Sequence, residues 1–253
     1  MQSSARILVV AVLLIAVATS LRVESSSAQP PEEPKNLKVL PKNMSRREVT
    51  GIMRSFSHAL GVRCVECHVS TKPGSDRSED LDFASDQKPE KEEARKMMKM
   101  VASINEQIGQ MGFKDAAQVR CVTCHRGVKR PETLAAAIKR SVEKSGVDGA
   151  IADYRRLRDR YYGTGAYDFS PESLTEAAGG LADSKKDFDG AIKLLRLNLE
   201  FSPKHADTYA ALGRVQMAKG DRQGAIESLE KALALDPENR WAKMHLERAK
   251  SGP

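Results

Sequence analysis

Two five-residue segments constrain this chain more than anything else in it. Cys64-Val65-Glu66-Cys67-His68 and Cys121-Val122-Thr123-Cys124-His125 repeat one pattern, C-x-x-C-H, and hold all four cysteines of the 253 residues. Two thiols at i and i+3 on one turn can each form a thioether to one vinyl group of a haem, while the adjacent imidazole reaches the iron. The residues between the cysteines are free to vary, as Val-Glu and Val-Thr do here. The same thiols could instead form two disulfides or one four-thiolate zinc site. Either pair alone could be a thioredoxin-like couple, although no βαβ pattern precedes one. None of these uses requires a histidine directly after both pairs. The pattern points to two covalently bound c-type haems, held by Cys64, Cys67, Cys121 and Cys124, with His68 and His125 as iron ligands.

A six-coordinate electron-transfer haem needs a second axial ligand, commonly a methionine thioether. Met53 lies 15 residues before His68, and Met97, Met98 and Met100 lie 25 to 28 residues before His125. A methionine at helical spacing is core more often than ligand. Here the whole unit repeats, a Met-bearing helix and then C-x-x-C-H, which favours Met53 and Met97 as ligands. Met100 shares a face with Met97 and is the alternative for the second haem. His58 is the rival for the first.

The N-terminus bears on the compartment. A short positive segment, Met1 to Arg6, precedes 12 unbroken apolar residues from Ile7 to Ala18, and small polar residues follow. This is the layout of a secretory signal peptide, expected over 1–29. The apolar run would cover roughly 18 Å as a helix, short of a ~30 Å bilayer core. The expected location is the periplasm, or a membrane tether facing it if the signal stays uncleaved. A formal net charge of +7 is modest. With no finger, ribbon or aromatic-interleaved basic stripe, a nucleic-acid partner is not expected.

Periodicity makes the chain all-α. Residues 30–43 read as a linker or extended arm. Ser45 to Glu48 is a capping box that opens a helix running to about Leu60, with Val49, Ile52, Met53, Phe56 and Leu60 on one side and Gly61 as its stop. Residues 71–90 read as a loop. A second helix is expected from Pro89 to Gln110, with Met97, Met100, Val101, Ile104 and Ile108 at helical spacing. Pro131-Glu132 is expected to open a third. Residues 44–140 form the expected dihaem domain. Residues 76–93 carry eight acidic and three basic side chains, and residues 120–140 six basic and one acidic. That asymmetry reads as an ordinary solvated face or as steering of a redox partner.

The C-terminal part, 147–253, repeats. Tyr209, Leu212-Gly213, Ala225, Leu229, Ala232 and Pro237 fall where a tetratricopeptide unit needs them. A shift of 34 residues lands on Gly179, Ala191, Leu195 and Pro203. One unit cannot bury its apolar face alone, so 147–175 is expected to pack as a further cap, and a helix from Trp241 to Lys250 closes the array. The array is either a stabilising module or a docking surface.

The stretch from Asn36 to Gly127 resembles the tetrahaem cytochrome subunit of photosynthetic reaction centres, and most of all its short two-haem relatives. The likeness is carried by Met44-Ser45-Arg46 to Met53, Leu60-Gly61-Val62-Arg63, Asp82-Phe83-Ala84-Ser85-Asp86, Ala94-Arg95-Lys96-Met97 to Asn105, and Val122 to Gly127. The resemblance implies a helix–loop–C-x-x-C-H unit for each haem, paired by a local two-fold, and electron donation to a partner redox centre. It matches Met53 and Met97 to the family's methionine ligands. The chain departs from the full subunit in having thiols for two haems and no histidine between 69 and 124, and the repeats are foreign to that subunit. The expected activity is one-electron transfer to or from a protein redox partner, with a membrane-associated partner allowed and no catalysis. The alternative is a haem-containing redox- or gas-sensing module whose repeats dock a partner.

Overall fold

Helix signals in the sequence translate directly into elements. The computed structural model describes residues 33–112 and 114–251, so the expected signal peptide lies outside the described residues. Ser45 caps α1 (Arg46–Leu60) through a complete capping box with Glu48, and Gly61 ends it in the left-handed region at φ 65°. Pro89 sits in the first turn of α2 (Pro89–Gln110), where its missing N–H costs nothing and Glu90 and Glu92 face the positive end of the helix dipole. The segment between them is mostly loop. It also holds a two-residue antiparallel pair, β1 (Val69–Ser70) with β2 (Leu81–Asp82), in register Val69 to Asp82. Short α3 (Cys121–His125) follows.

The next helix, α4 (Leu134–Tyr161), starts three residues later than Pro131 suggested. Thr133 supplies the cap, its Oγ1 accepting from the Ala136 N–H at 3.1 Å, while Glu132 turns aside to pair with Arg140. Gly146, at φ 70° and ψ 179°, breaks the helical path inside α4, a conformation open chiefly to glycine. The chain then forms α5 (Pro171–Gly180), a wider π turn over Leu181–Lys185, α6 (Phe188–Phe201), α7 (Ala206–Lys219), α8 (Arg222–Leu235) and α9 (Arg240–Ser251). From α4 onward each helix packs on the next. At the α7–α8 crossing a Cβ on Gly213 would lie 2.6 Å from Leu229 Cγ, so only glycine admits the close approach.

Burial is unevenly shared. One cluster joins Leu134, Ala135 and Ile138 of early α4 to Tyr154, Leu174, Leu194, Leu195 and Val215, and a second gathers around Leu229, Ala232, Ala242 and Ala249. Each leucine so buried contributes about 1.5–3 kcal/mol. Between residues 34 and 128 the described apolar side chains that are buried are Ala59, Leu81 and Val128. The 22 residues of α2 bury Arg95 alone. A long helix with an apolar stripe and so little protein packed on it needs another cover for that stripe.

Candidate functional site

The segments flanking the two C-x-x-C-H motifs touch. The Gly127 N–H donates to the Ala59 carbonyl at 2.8 Å, and a Cβ on Gly61 would fall on the Gly127 carbonyl oxygen. The end of α1 therefore packs on α3 and its exit loop, although α1 leads in sequence to the first motif. Lys129, just past the second motif, forms an ion pair with Glu66 inside the first and lies 3.8 Å from Glu90 of α2.

At the first motif, Cys64–Glu66 makes a single 3-10 turn, and the His68 N–H closes it on the Cys64 carbonyl at 3.0 Å. The start of α2 clamps this loop. Lys88 donates to the Val65 carbonyl, and the Lys91 ammonium donates to the carbonyls of Phe83, Ala84 and Ser85 at 2.9, 3.1 and 2.7 Å. Phe83, thus held, meets the His68 ring edge-on, with centroids 4.9 Å apart. Burial, reinforced by the Lys91 charge, pushes the His68 imidazole down to a pKa of about 4. The ring is neutral at ordinary pH and keeps a lone pair for a metal. Its Nδ1 is buried with no hydrogen-bond partner. Burial, then Glu66 and Glu90, raise the Cys67 thiol pKa, while Lys129 and Lys88 oppose them.

At the second motif, His125 is buried and its Nδ1 lies 3.0 Å from the Val128 carbonyl. A carbonyl can only accept, so Nδ1 carries the proton and Nε2 the lone pair, the tautomer a metal-ligating histidine needs. Asn105 of α2 fixes the segment leading into α3: its side chain accepts from the Val119 N–H at 2.7 Å and donates to the Val119 carbonyl at 2.9 Å. A cavity of about 260 Å³ lies here, lined by Phe56 and His58 of α1, Val101 of α2, and Cys121 and Val122. The sequence offered His58 as a rival ligand at the first motif. The fold sets it in a cavity with Cys121 of the second, because α1 packs on α3.

Met53 is half-buried. On α2 the half-buried line runs through Ala94, Met98, Val101, Ile104 and Ile108, while Met97 and Met100 sit on a flank at 37% and 46% exposure. Phe83 and Val122, at 42% and 39%, are likewise uncovered beside the motifs. The donor set and these bare apolar side chains fit a flat apolar group at each motif, tethered through thiols and coordinated through imidazole. Among the described residues the four thiols are free, and no group of three or more His, Cys, Asp or Glu is placed to hold a metal ion by itself.

Much of the acidic segment is paired with cations that flank it or lie further off in the sequence. Asp76 pairs with Arg63, Asp80 with Lys72 at 2.6 Å, Asp86 with Lys38 at 2.7 Å and Arg95 at 2.8 Å, and Glu92 with Arg95 at 3.1 Å. Lys91, Asn105, Lys129 and Phe83 are the positioning residues that motif reading passed over. Phe83 and Asn105 stood inside resembling stretches without a role, and the two lysines carried no signal of their own.

With this geometry in hand, comparison with known proteins divides the chain. Residues 75–157 match the family described as photosynthetic reaction centre cytochrome C subunit. The match takes in α2 and the second motif and begins after His68. Residues 206–239 match the tetratricopeptide repeat. A cytochrome-like region is thus followed by a tetratricopeptide-like helical region. Among curated proteins, the cellulose synthase operon protein C of Escherichia coli K12 is 44% identical over 61 residues, 24% of this chain. The chain spans 5% of that relative's length. Among solved structures, the first tetratricopeptide domain of Spaghetti (RPAP3), bound to an HSP90 peptide, superposes at a TM-score of 0.34 and 21% identity. That alignment covers 47% of this chain and 88% of the other. The Sgt2 domain from Aspergillus fumigatus gives 0.33 and 19%, over 47% of this chain and 75% of its own. Among the described residues no helix is long and apolar enough to cross a membrane.

Proposed function

We propose that this chain is a dihaem c-type cytochrome that passes single electrons to or from a protein redox partner, with the tetratricopeptide-like helices serving as the docking module. The observation that supports it best is the backbone contact of Gly61 with Gly127, which joins the residue three before the first motif to the exit of the second. Cys64 and Cys67 would tether one haem with His68 as its axial ligand, and Cys121 and Cys124 the other with His125. Met53 and Met97 are the proposed distal ligands, with Met100 as the alternative at the second haem. A bound haem supplies an iron that cycles between ferric and ferrous. The chain's own part is to orient His125 through Val128, keep the His68 imidazole neutral, exclude water with Phe83 and the α2 stripe, and fix the spacing of the two motifs. On this reading the chain is an electron carrier. The signal-like N-terminus supports a periplasmic setting, where covalent haem attachment takes place.

Mass spectrometry of the chain exported from cells competent in cytochrome c maturation tests this reading. Two haem masses should be added to the polypeptide and should survive acid–acetone extraction, as thioethers require. An unmodified mass would overturn it.

A further inference from the structure

We propose that Lys129, carried on the exit loop of the second motif, sets the reduction potential of the haem on the first. The inference rests on the dihaem reading above and goes beyond it by giving the contact between the motifs an electrostatic role. Lys129 leaves the backbone from a segment fixed on two sides. The preceding Val128 is buried and its carbonyl holds His125 Nδ1, and Gly127 is bonded to Ala59 of α1. From that anchor the ammonium reaches across to the Glu66 carboxylate, which stands between the two cysteines of the first motif, with Glu90 at 3.8 Å. Lys88, bonded to the Val65 carbonyl, is the other cation acting on Cys67.

Around Cys67, then, two carboxylates face two ammonium groups, and one of those four charges is lent by the other motif. The charges surrounding the Cys67 thiol include all four. Reduction of a haem iron adds one negative charge to its site, so a neighbouring cation favours the reduced form and a neighbouring anion the oxidised form. With Lys129 in place the four charges sum to zero. Without it, Glu66 and Glu90 outweigh Lys88, and the first haem becomes harder to reduce. The pair is half-exposed, at 50% and 37% of the side chains, so salt damps the effect.

Spectroelectrochemical titration of the full-length haem-loaded protein at low and high ionic strength tests this. Lys129→Gln should lower one of two resolved potentials, and Glu66→Gln should raise the same one, which identifies it as the haem whose motif contains Glu66. Lys129→Arg should leave both where they were, and 0.5 M salt should shrink the Lys129→Gln shift. If Lys129→Gln moves neither potential, moves both equally, or moves the one that Glu66→Gln leaves alone, the inference is overturned. Haem count by mass is read on every sample. A wild-type protein without two haems overturns the underlying reading, whereas two haems with unresponsive potentials overturn this inference alone.

Discussion

Gly61 and Gly127 meet backbone to backbone, and nothing larger than hydrogen fits at position 61. The residue is in the left-handed region at φ 65°, and a Cβ there would fall on the Gly127 carbonyl oxygen. Gly61→Ala therefore combines left-handed strain of about 1–2 kcal/mol with a clash against backbone that has no rotamer to change. The same carbonyl belongs to the loop that carries Lys129 and follows His125, so relief by movement would shift the second motif. A loss of roughly 2–4 kcal/mol is expected, read as a lower urea midpoint. An unchanged midpoint would mean that the two motifs are not held by this contact.

The local elements of this fold were open to reading from sequence because their signals are local. Ser45 with Glu48 opened α1, Gly61 closed it, and Pro89 opened α2. Pro131 misled, since a proline suits a first turn but Thr133, with an oxygen able to accept from Ala136, is the better cap. What could not be read was which motif each helix serves. The pairing of α1 with α3, the hold of Lys88 on Val65 and that of Asn105 on Val119 depend on contacts 14 to 68 residues apart, which no periodicity encodes. The acidic run at 76–93 looked like a charged face because the partners of Asp86, Asp76 and Glu90, namely Lys38, Arg63 and Lys129, lie elsewhere in the sequence.

Asp86 ties the arm to α2. The Asn36 amide, Lys38 and Arg95 beside it hold its carboxyl well below the usual carboxylate range. A carboxylate whose folded pKa is depressed contributes stability above its unfolded pKa, about 3.9, and that contribution fades as pH falls below it. Asp86→Asn removes the charge at every pH. The variant's melting temperature should fall below that of the wild type near neutrality, and the gap should narrow below about pH 4. A gap that stays constant from pH 7 to pH 3 would show that Asp86 acts through packing alone.

Early α4 belongs energetically to the repeats. Ile138 is fully buried and shares a cluster with Leu174, Leu194 and Leu195, although it stands only 13 residues past His125. Ile138→Ala should cost about 2–5 kcal/mol, lowering the midpoint of the main helical transition followed by circular dichroism. On the proposed reading, haem attachment through Cys121 and Cys124 should be unchanged by mass. A variant that unfolds normally but loses one haem would place Ile138 in the haem site instead.

The proposed methionine ligands make the sharpest test of the site, because the fold offers neighbours that could replace them. A ferric haem with a thioether ligand has a weak charge-transfer band in the far red. Met53→His or Met97→His should leave two haems attached and low-spin, abolish one contribution to that band and lower one potential, since a soft acceptor ligand is exchanged for a harder donor. On α2, Met97 and Met100 lie on the exposed flank, while Met98 sits in the half-buried line with Val101. The same substitution at 98 and 100 therefore belongs in the series. If Met97→His is silent and Met100→His moves the band, the assignment is wrong by one turn. If Met98→His alone moves it, the ligand comes from the half-buried face. If all three are silent, these side chains are cover for the haem and not ligands. His58, in the cavity beside Cys121, then becomes the candidate at the second motif, and His58→Ala should convert that haem to a high-spin spectrum.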